Sequence, residues 1–283
     1  MSTEAYFETN REMWDEWATV HMRGNSMYPV EPFKAGEVGW TSNLPEDIGS
    51  VGKRSILHLQ CHFGLDTLMW ARQGASVTGV DFSETAIQGA QALNDELGLD
   101  AKFVQTNIYD LPEVLEGGFD IVLTYYGVLP WLPDLDRWAE IVAHFLKPGG
   151  FLYLAEMHPF VDMIEGASPD SRYPFLAYAY FTDSEAQRCD THGGTYAVPD
   201  AQTVHRTNYQ WKHKMSDIIS AVGRAGLRIE YLHEFPYLFC DIWNWPPGGI
   251  VGRMEQDEDG WWWPTASRDM VPLMFSLKAY KDR

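Results

Sequence analysis

Short apolar runs alternate with segments of helical periodicity through the middle of the chain. The run at 55–59 (SILHL) is followed by Gly64 and by apolar positions of 65–69 that share one helical face, up to Gly74. This pattern predicts a buried strand, a tight turn and a helix.

A second unit of the same kind follows at once. The run at 76–80 ends at Asp81, and Ser83 is placed to cap a helix that Gly98 ends. The apolar face of this helix comprises Ile87, Ala90, Leu93 and Leu97. The strand, turn and helix of the first unit are thus repeated in the same order.

The alternation continues along the chain. Asp134 is predicted to cap a helix that 147–150 (KPGG) terminates, and a last helix is predicted at 216–225. Further strands are predicted at 101–105, 119–124, 151–156, 227–233 and 272–280. Strands and helices at this spacing predict an α/β fold with a doubly wound, mostly parallel sheet, whose ligand lies at the carboxyl ends of the strands.

Three segments do not fit this alternation. They are 1–50, about 160–212 and about 235–270, the last containing WNWPPGG and WWWP. We expect them to be cap elements on a core that spans 51–283.

The N-terminal segment is predicted to contain a helix. Thr9 and Glu12 form a predicted capping box, and an apolar stripe at helical spacing follows, made of Trp14, Trp17, Ala18 and His21. Such a stripe is most often ordinary core. The alternative is a helix that lies over a ligand pocket as a lid.

Composition narrows the class of protein. The 283 residues are 45% hydrophobic and 22% charged, which is enough for a full core and excludes disorder and fibrous repeats. The net charge of -19 repels a phosphate backbone and an anionic membrane, so neither nucleic acid nor membrane is expected as a partner. The many tryptophans and tyrosines indicate an aromatic pocket or an interface.

The cysteines and the start of the chain point to a reducing compartment. The three cysteines, Cys61, Cys189 and Cys240, form no Cys-x-x-Cys pair. The start, MSTEAYFETNREMW, is charged where a signal peptide is apolar, and no run approaches the ~20 apolar residues of a membrane helix. We therefore expect a cytoplasmic protein.

The first turn and the second strand end together form a candidate nucleoside site. Gly64 opens a helix after the first strand, where backbone N–H groups can face a ligand. Asp81 ends the second strand, where a carboxylate can accept both hydroxyls of a ribose. The alternative for Asp81 is an ordinary helix-capping acid ahead of Ser83.

Residues 54–156 contain a series of motifs in a fixed order. They are ILHLQCHFG, VTGVDFS, QTNIYDLP, FDIVLTYYGVLPWLPDLDRW and LKPGGFLYLAE. Together they resemble the motifs of the class I S-adenosylmethionine-dependent methyltransferases of the small-molecule branch. In ILHLQCHFG, which resembles the first motif, His58 is at the usual acid, Gln60 and His62 are at two usual glycines, and Gly64 is at the last glycine. The resemblance implies a Rossmann-like, seven-stranded sheet with a reversed last strand.

The same resemblance implies S-adenosyl-L-methionine as the cofactor and assigns its contacts. Asp81 would bind the ribose, and Asn107 would bond the adenine amino group through its carbonyl. The cofactor-binding residues that we expect are Gln60, His62, Gly64, Asp81, Phe82, Asn107, Ile108, Tyr125 and Trp14. A nicotinamide dehydrogenase is the competing interpretation, but QCHFGL lacks its Gly-x-Gly-x-x-Gly.

Gln60 and His62 occupy two positions at which the family usually has glycine. The loop either stands slightly back from the donor or uses the Gln60 amide to hold its methionine part, and the second is our interpretation. LHLQCHFGLDTL, WLPDL and the early Asn10, Arg11 and Trp14 further resemble antibiotic-tailoring N-methyltransferases of the lincosamide type.

Methyl transfer requires an aligned nucleophile with a free lone pair, and therefore a proton acceptor. His158 follows the fifth strand and is our first candidate for contacting the acceptor or taking its proton, the alternative being a histidine that fixes a loop. Tyr125 and Tyr126 follow the fourth strand and are the other catalytic candidates. The substrate-binding residues that we expect are Tyr6, His21, His158 and His213.

No metal site is expected. The group Cys189, Asp190, His192 and His205 fits no known zinc spacing. The tryptophans of the last insertion form either a substrate wall or, as we favour, an oligomer interface; they are Trp243, Trp245, Trp261, Trp262 and Trp263.

The sequence therefore predicts a methyltransferase that moves a methyl group to a nitrogen or an oxygen of a small molecule. The net negative charge favours a cationic amine, and the aromatic residues suit an aromatic hydroxyl equally. The alternative class is a non-catalytic S-adenosylmethionine-binding regulator or structural protein, which the altered glycine positions at Gln60 and His62 would allow.

Overall fold

The structure is a computed structural model that describes residues 2–37, 47–165, 175–182, 185–191, 193–241, 254–265 and 268–283. Its helices are α1 (Thr3–His21), α2 (Val30–Ala35), α3 (Leu65–Arg72), α4 (Glu84–Leu97), α5 (Leu111–Val114), α6 (Leu135–Phe145) and α7 (Met215–Arg224). Short 3-10 helices lie at Ile108–Asp110, Leu129–Trp131 and Val161–Met163.

The strands fall into one large sheet and three small ones. The large sheet contains β1 (Ser55–Leu59), β2 (Ser76–Asp81), β3 (Lys102–Gln105), β4 (Phe119–Tyr125), β5 (Leu146–Met157), β10 (Leu227–Phe235) and β13 (Met274–Lys281). The two-stranded sheets pair β6 (Ile164–Glu165) with β7 (Phe175–Leu176), β8 (Gln187–Asp190) with β9 (Thr207–Gln210), and β11 (Met254–Gln256) with β12 (Trp262–Pro264).

The order of the large sheet is β10-β13-β5-β4-β1-β2-β3. β1 pairs in parallel with β2 and β4, β2 with β3, and β4 with β5. β13 runs antiparallel to both β5 and β10. The predicted seven-stranded, doubly wound sheet with a reversed last strand is thereby confirmed, and the carboxyl ends of β1, β2 and β4 meet at one edge.

Helices bury both faces of this sheet. On one side α6 and α7 cover the sheet around Trp138 and Phe145, both fully buried. On the other side Trp70 of α3 packs with Phe151 and Tyr153 of β5. None of the described helices is long and apolar enough to cross a membrane.

Local capping chemistry places the core helices where the sequence predicts them. The Ser83 side chain accepts the Ala86 N–H at 3.1 Å and begins α4, and Asp134 accepts the Arg137 N–H at 2.9 Å and begins α6. Side-chain oxygens at these positions satisfy N–H groups that the first helical turn leaves unpaired.

One local prediction is wrong, and one strand begins earlier than predicted. The capping box of Thr9 and Glu12 does not form, because α1 is capped seven residues earlier, by Ser2, and the Thr9 hydroxyl instead donates to the Ala5 carbonyl inside the helix. α6 ends at Phe145, just before 147–150 (KPGG) as predicted, but β5 begins at Leu146 and not at 151, because Leu146 already pairs with Phe119.

α1 is fastened both to the first insertion and to the core. Asn10, 1% exposed, exchanges two hydrogen bonds of 2.7 Å with the backbone of Tyr209 in β9. Asp15 accepts the Ser83 hydroxyl at 2.6 Å and the Thr85 N–H at 3.1 Å at the start of α4. These bonds place the middle of α1 beside the carboxyl end of β2.

Candidate functional site

The loop between β1 and α3 keeps a left-handed backbone at each position where the resembled motif has glycine. Gln60 has φ 54°, His62 has φ 53° and Gly64 has φ 74°. A residue with a Cβ adopts this region at a cost of about 1–3 kcal/mol. The loop therefore follows a glycine-like course while the side chains of Gln60 and His62 project from it.

Gly64 itself has no room for a side chain. A Cβ atom there would lie 2.6 Å from the Phe103 ring of β3 and 2.9 Å from the Cβ of Ala90 in α4. The close approach sets the start of α3 tightly against the second strand-helix unit, as only glycine permits.

Gln60 connects this loop to the segment that follows β4. Its Nε2 donates to the Val128 carbonyl at 3.1 Å. Its Oε1 is buried and accepts no hydrogen bond from the described residues. A buried carbonyl oxygen without a donor is costly, so this atom is suited to receive an N–H group of a ligand.

Asp81 lies at the carboxyl end of β2 and faces the same loop. Its Oδ2 accepts the His62 backbone N–H at 2.8 Å and its Oδ1 accepts the Ser83 N–H at 2.9 Å. It is 8% exposed, and burial raises its pKa to about 6. Each oxygen keeps a second lone pair, so the carboxylate can still accept two hydroxyls. Ser83, not Asp81, supplies the cap of α4.

A chain of hydrogen bonds links the insertion, α1 and the loop. The Thr195 hydroxyl oxygen accepts the Ala197 and Val198 N–H groups at 3.2 and 2.9 Å. It also lies 2.9 Å from His21 Nε2, and His21 Nδ1 lies 2.8 Å from His62 Nε2. Because the Thr195 oxygen has used both lone pairs, its O–H must donate to His21.

The direction of the hydrogen bond from Thr195 to His21 determines the tautomers of both His21 and His62. His21 Nε2 accepts, so the proton of the neutral ring is on Nδ1, which donates to His62 Nε2. His62 then also carries its proton on Nδ1 and presents this N–H as a donor. Burial lowers the pKa of His62 to about 3 and that of His21 to about 2, so both rings are uncharged.

We therefore predict that His21 and His62 remain neutral Nδ1–H tautomers between about pH 5 and pH 8. Long-range 15N–1H NMR of the ring nitrogens reports the tautomer directly. The urea-unfolded protein is the control, since its histidines titrate near 6.5. A cationic ring at pH 6, or an Nε2–H tautomer at His62, would contradict the prediction.

Trp14 covers the loop from α1. Its ring centroid lies 5.4 Å from that of His62, 5.2 Å from Trp131 and 6.5 Å from Tyr196, in edge-on arrangements. Trp14 and His21 were predicted as ligand contacts, and the structure brings both to His62. The predicted Tyr6 lies elsewhere, with its ring 4.4 Å from that of Tyr209, because it precedes Trp14 by two helical turns.

The residues predicted for the adenine lie around β2 and β3. Asn107 Oδ1 accepts the Tyr109 N–H at 3.1 Å and caps the short helix Ile108–Asp110. The Phe82 carbonyl accepts Gln105 Nε2 at 2.9 Å. The Asn107 carbonyl keeps one lone pair, so its predicted bond to an adenine amino group is compatible with this geometry.

Tyr125 and Tyr126 end β4 as predicted. The ring of Tyr125 stacks on His58, with centroids 4.6 Å apart and planes inclined by 16°. Tyr126 has φ 66°, and its ring packs against Tyr125 and Phe239. Both phenols thus reach the carboxyl edge of the sheet next to β1.

The segment after Tyr126 is held by a buried carboxylate. Glu156, 2% exposed, accepts the N–H groups of Gly127, Val128, Leu129 and Met157 at 2.6–3.0 Å. Burial raises its pKa, and the four donors lower it. Because all four N–H groups need an acceptor, they favour the ionised form.

Both ring nitrogens of His158 are engaged. Nδ1 accepts the Phe160 N–H at 3.0 Å, so Nε2 carries the proton and donates to Glu234 at 3.0 Å. Burial lowers its pKa, and Glu234 raises it. In this geometry His158 fixes the segment after β5 and accepts a further proton only by releasing the Phe160 N–H.

Among the described residues, His213 is bonded to the backbone after β4, and the cysteine-containing insertion has no cluster of metal ligands. His213 Nε2 donates to the Leu132 carbonyl at 2.8 Å, and burial lowers the pKa of the ring. Within the described ranges, no group of three or more His, Cys, Asp or Glu residues is arranged for a metal ion. His192, which belonged to the considered metal group, lies outside the described residues.

The described tryptophans of the last insertion pack within the chain. The Tyr237 ring lies 4.6 Å from Trp261 and 5.0 Å from Trp263. Trp262 pairs its backbone with Leu238. Trp243 and Trp245 lie outside the described residues, and the oligomer interface stays a prediction.

Sequence reasoning assigned no structural or site role to Asn10, Glu156 and Thr195, which organise this region, or to Asp66. Glu156 ends the apolar run FLYLAE, and a charged residue at the end of a buried strand was a usable signal. Asp66 is likewise a charged residue close to a buried strand, since it follows the loop after β1 in the first turn of α3. The partners of Asn10 and Thr195 are far away in sequence.

Comparison with known proteins shows which proteins this chain is similar to. Residues 57–152 match the model of the methyltransferase domain family. The ubiquinone biosynthesis O-methyltransferase of Pseudomonas aeruginosa (strain PAO1) is 28% identical over 136 residues, which are 48% of this chain and 56% of that protein. The chain thus spans about half the length of the curated relatives that it matches.

Solved structures share the fold over most of the chain. An S-adenosylmethionine-dependent methyltransferase from Mesorhizobium loti has a TM-score of 0.57 at 18% identity, covering 86% of this chain and 98% of that one. The glycopeptide N-methyltransferase MtfA, solved with S-adenosyl-L-methionine, has a TM-score of 0.51 at 15% identity, covering 85% and 92%. Residues 57–152 are therefore similar to a methyltransferase domain, within a chain that has the fold of the S-adenosylmethionine-dependent methyltransferases.

Proposed function

We propose that the protein transfers a methyl group from S-adenosyl-L-methionine to a nitrogen or an oxygen of a small molecule. The observation that carries this proposal is the left-handed loop of Gln60, His62 and Gly64 facing Asp81 at the carboxyl ends of β1 and β2. The matched Pseudomonas relatives, which are named for O-methylation of a small molecule, support the same reaction class.

The residues present fit this cofactor. Asp81 offers two lone pairs to ribose hydroxyls, Gln60 offers its unpartnered Oε1 to an ammonium group, and His62 offers its Nδ1–H to a carboxylate. When bound, the cofactor supplies an electrophilic methyl group on a sulfonium. Gln60 and His62, at two positions where the family has glycine, thus provide an acceptor for the ammonium group and a donor for the carboxylate of the cofactor's amino-acid part.

The chain itself would orient the ligands and exclude water. α1 is tied to β9 and α4, so Trp14 and His21 act as a lid over the loop, the function proposed for the N-terminal segment. Tyr125 and Tyr126 lie at the end of β4 and are proposed to contact the acceptor. His158 is retained as a proposed acceptor contact, with a proton-accepting role only if it releases Phe160.

Calorimetric titration with S-adenosyl-L-methionine, S-adenosylhomocysteine and NAD tests the proposal. We expect dissociation constants of about 1–100 µM for the first two and no heat with NAD. Absence of binding by both sulfur ligands would overturn the proposal. Binding without formation of S-adenosylhomocysteine in the presence of a broad set of amines and phenols would favour the non-catalytic binder instead.

A further inference from the structure

Asp66 is a carboxylate for which the described residues supply no partner. It lies in the first turn of α3, two residues after Gly64, and it is only partly open to solvent. Its carboxylate makes no hydrogen bond or ion pair with the described residues, and burial alone raises its pKa to about 6. Carboxylates in such surroundings ordinarily have a cationic or N–H partner, because their desolvation is otherwise uncompensated.

Three phenols from different parts of the chain lie in the neighbourhood of this carboxylate. They are Tyr28, which follows α1, Tyr125 at the end of β4, and Tyr196 between β8 and β9. The Tyr28 ring lies 5.0 Å from that of Phe63, three residues before Asp66. The Tyr125 ring stacks on His58, whose Nδ1 lies 2.8 Å from the hydroxyl of Thr67, the residue after Asp66. Burial raises the pKa of all three phenols, and the charge of Asp66 raises each further. The Tyr28 and Tyr196 hydroxyls lie 2.5 Å apart and bond to each other.

The phenols and the carboxylate together describe a site for a cation. Aromatic faces attract a cation, and a carboxylate pairs with it. Asp81 adds a second negative charge that also acts on Tyr196. No Lys or Arg of the described residues forms an ion pair with Asp66 or Asp81, and the neighbouring His62 is neutral because burial lowers its pKa to about 3.

We propose that Asp66, with Tyr28, Tyr125 and Tyr196, binds the ammonium group of the methyl acceptor, so that the substrates are amines. This inference rests on the proposed function and chooses nitrogen over oxygen as the methylated atom. Two of the three phenols come from the cap elements, whereas Gln60 Oε1 on the loop remains for the ammonium group of the donor.

Methyl transfer to an amine at this site requires that the ammonium group first lose a proton. The acceptor ammonium gives one proton to Asp66, from which it passes to water, and so exposes a nitrogen lone pair. A new N–C bond forms while the S–C bond of the donor breaks and leaves its electron pair on sulfur. The raised pKa of Asp66 assists this proton transfer.

The test uses the full chain saturated with S-adenosylhomocysteine and matched pairs of small probes. The probes are butylamine with 1-butanol and 2-phenylethylamine with 2-phenylethanol, measured by saturation-transfer NMR. We expect the wild-type protein to bind at least one amine about 10-fold or more tightly than its alcohol. Equal binding within each pair, or no amine binding at all, would overturn the proposal.

Variants then assign the preference to Asp66. Asp66→Asn should abolish the preference for the amine while changing the affinity for S-adenosylhomocysteine by less than about 3-fold, and Asp66→Glu should retain it. Asp100→Asn, at an exposed acid, is the matched control. A large loss of S-adenosylhomocysteine affinity in Asp66→Asn would instead assign Asp66 to the donor site and overturn the proposal.

Different results would contradict the proposed function and the proposed amine site. If the wild-type protein does not bind S-adenosylhomocysteine, the proposed function has failed. If it binds this ligand but shows no preference for amines, only the assignment of the acceptor has failed. The comparison of amine with alcohol in the wild-type protein needs no variant and therefore stands even if Asp66→Asn does not fold.

Discussion

Replacement of Asp81 by asparagine is expected to weaken binding of S-adenosylhomocysteine by about 5- to 150-fold. This range corresponds to about 1–3 kcal/mol, the cost of depriving buried hydrogen-bonding groups of one charged acceptor. Asparagine keeps one carbonyl oxygen but turns an amide group toward either the His62 or the Ser83 N–H. The variant therefore loses both a ribose acceptor and part of the support of the loop.

The measurement is a calorimetric titration at constant pH, accompanied by a thermal melt. Asp100→Asn removes an equal charge from an exposed position and should leave the affinity unchanged. An unchanged affinity in a folded Asp81→Asn protein would remove Asp81 from the site. The remaining role of Asp81 would then be to accept the backbone N–H groups of His62 and Ser83.

The core strands and helices could be predicted because each unit carries its own local signals. The run 55–59 forms β1 with those bounds, since five residues are the length of a buried strand and too few for a typical helix. Ser83 and Asp134 begin their helices as predicted, because capping depends on residues only three positions apart. Gly98 ends α4 in a left-handed conformation for the same local reason.

The errors arise where two local signals compete. Thr9 and Glu12 have the spacing of a capping box, but Ser2 caps the helix first and the residues between them continue it. The pattern at 147–150 has turn residues, yet pairing of Leu146 with Phe119 includes it in the strand. In both cases the wider context decides between signals of similar local strength.

The candidate site could be predicted only where it lies on the loop and strand ends. Gln60, His62 and Asp81 follow from their positions, and the structure brings all three together. The bonds of His21 to His62 and Thr195 join residues separated by 41 and 174 positions, so a single sequence carries no signal for them. For the same reason, no signal in the sequence predicts the hydrogen bonds of Asn10 with Tyr209, 199 positions away.

His158 illustrates a different limit. Its position after β5 correctly places it near the edge of the sheet, but the chemistry of a histidine depends on which nitrogen is free. The Phe160 N–H and Glu234 occupy the two nitrogens, and neither contact follows from sequence spacing alone. Position could therefore be predicted, whereas protonation state could not.

Replacement of Glu156 by glutamine is expected to destabilise the protein by about 2–4 kcal/mol. Glu156 accepts four backbone N–H groups with its two oxygens, and glutamine retains only one of these oxygens. At least two buried N–H groups then face an amide N–H, each at a cost of about 1–2 kcal/mol. For a chain of this size the melting temperature should fall by about 5–15 °C.

A matched control separates this effect from loss of charge. Glu140→Gln removes a carboxylate from an exposed ion pair with Arg137 on α6, where a change of at most about 0.5 kcal/mol is expected. Thermal and urea unfolding of the two variants, monitored by circular dichroism, give the comparison. Equal melting temperatures would show that the four N–H groups find other acceptors.

The loss of stability should be accompanied by weaker donor binding. Glu156 holds the segment that contains Val128, whose carbonyl accepts the Gln60 amide, so movement of this segment releases the side chain that faces the donor. S-adenosylhomocysteine affinity in Glu156→Gln, measured well below its melting temperature, should therefore fall by a factor of about 3–10. Unchanged affinity would mean that Glu156 stabilises the fold without positioning Gln60, and the connection between β5 and the donor loop would have to be abandoned.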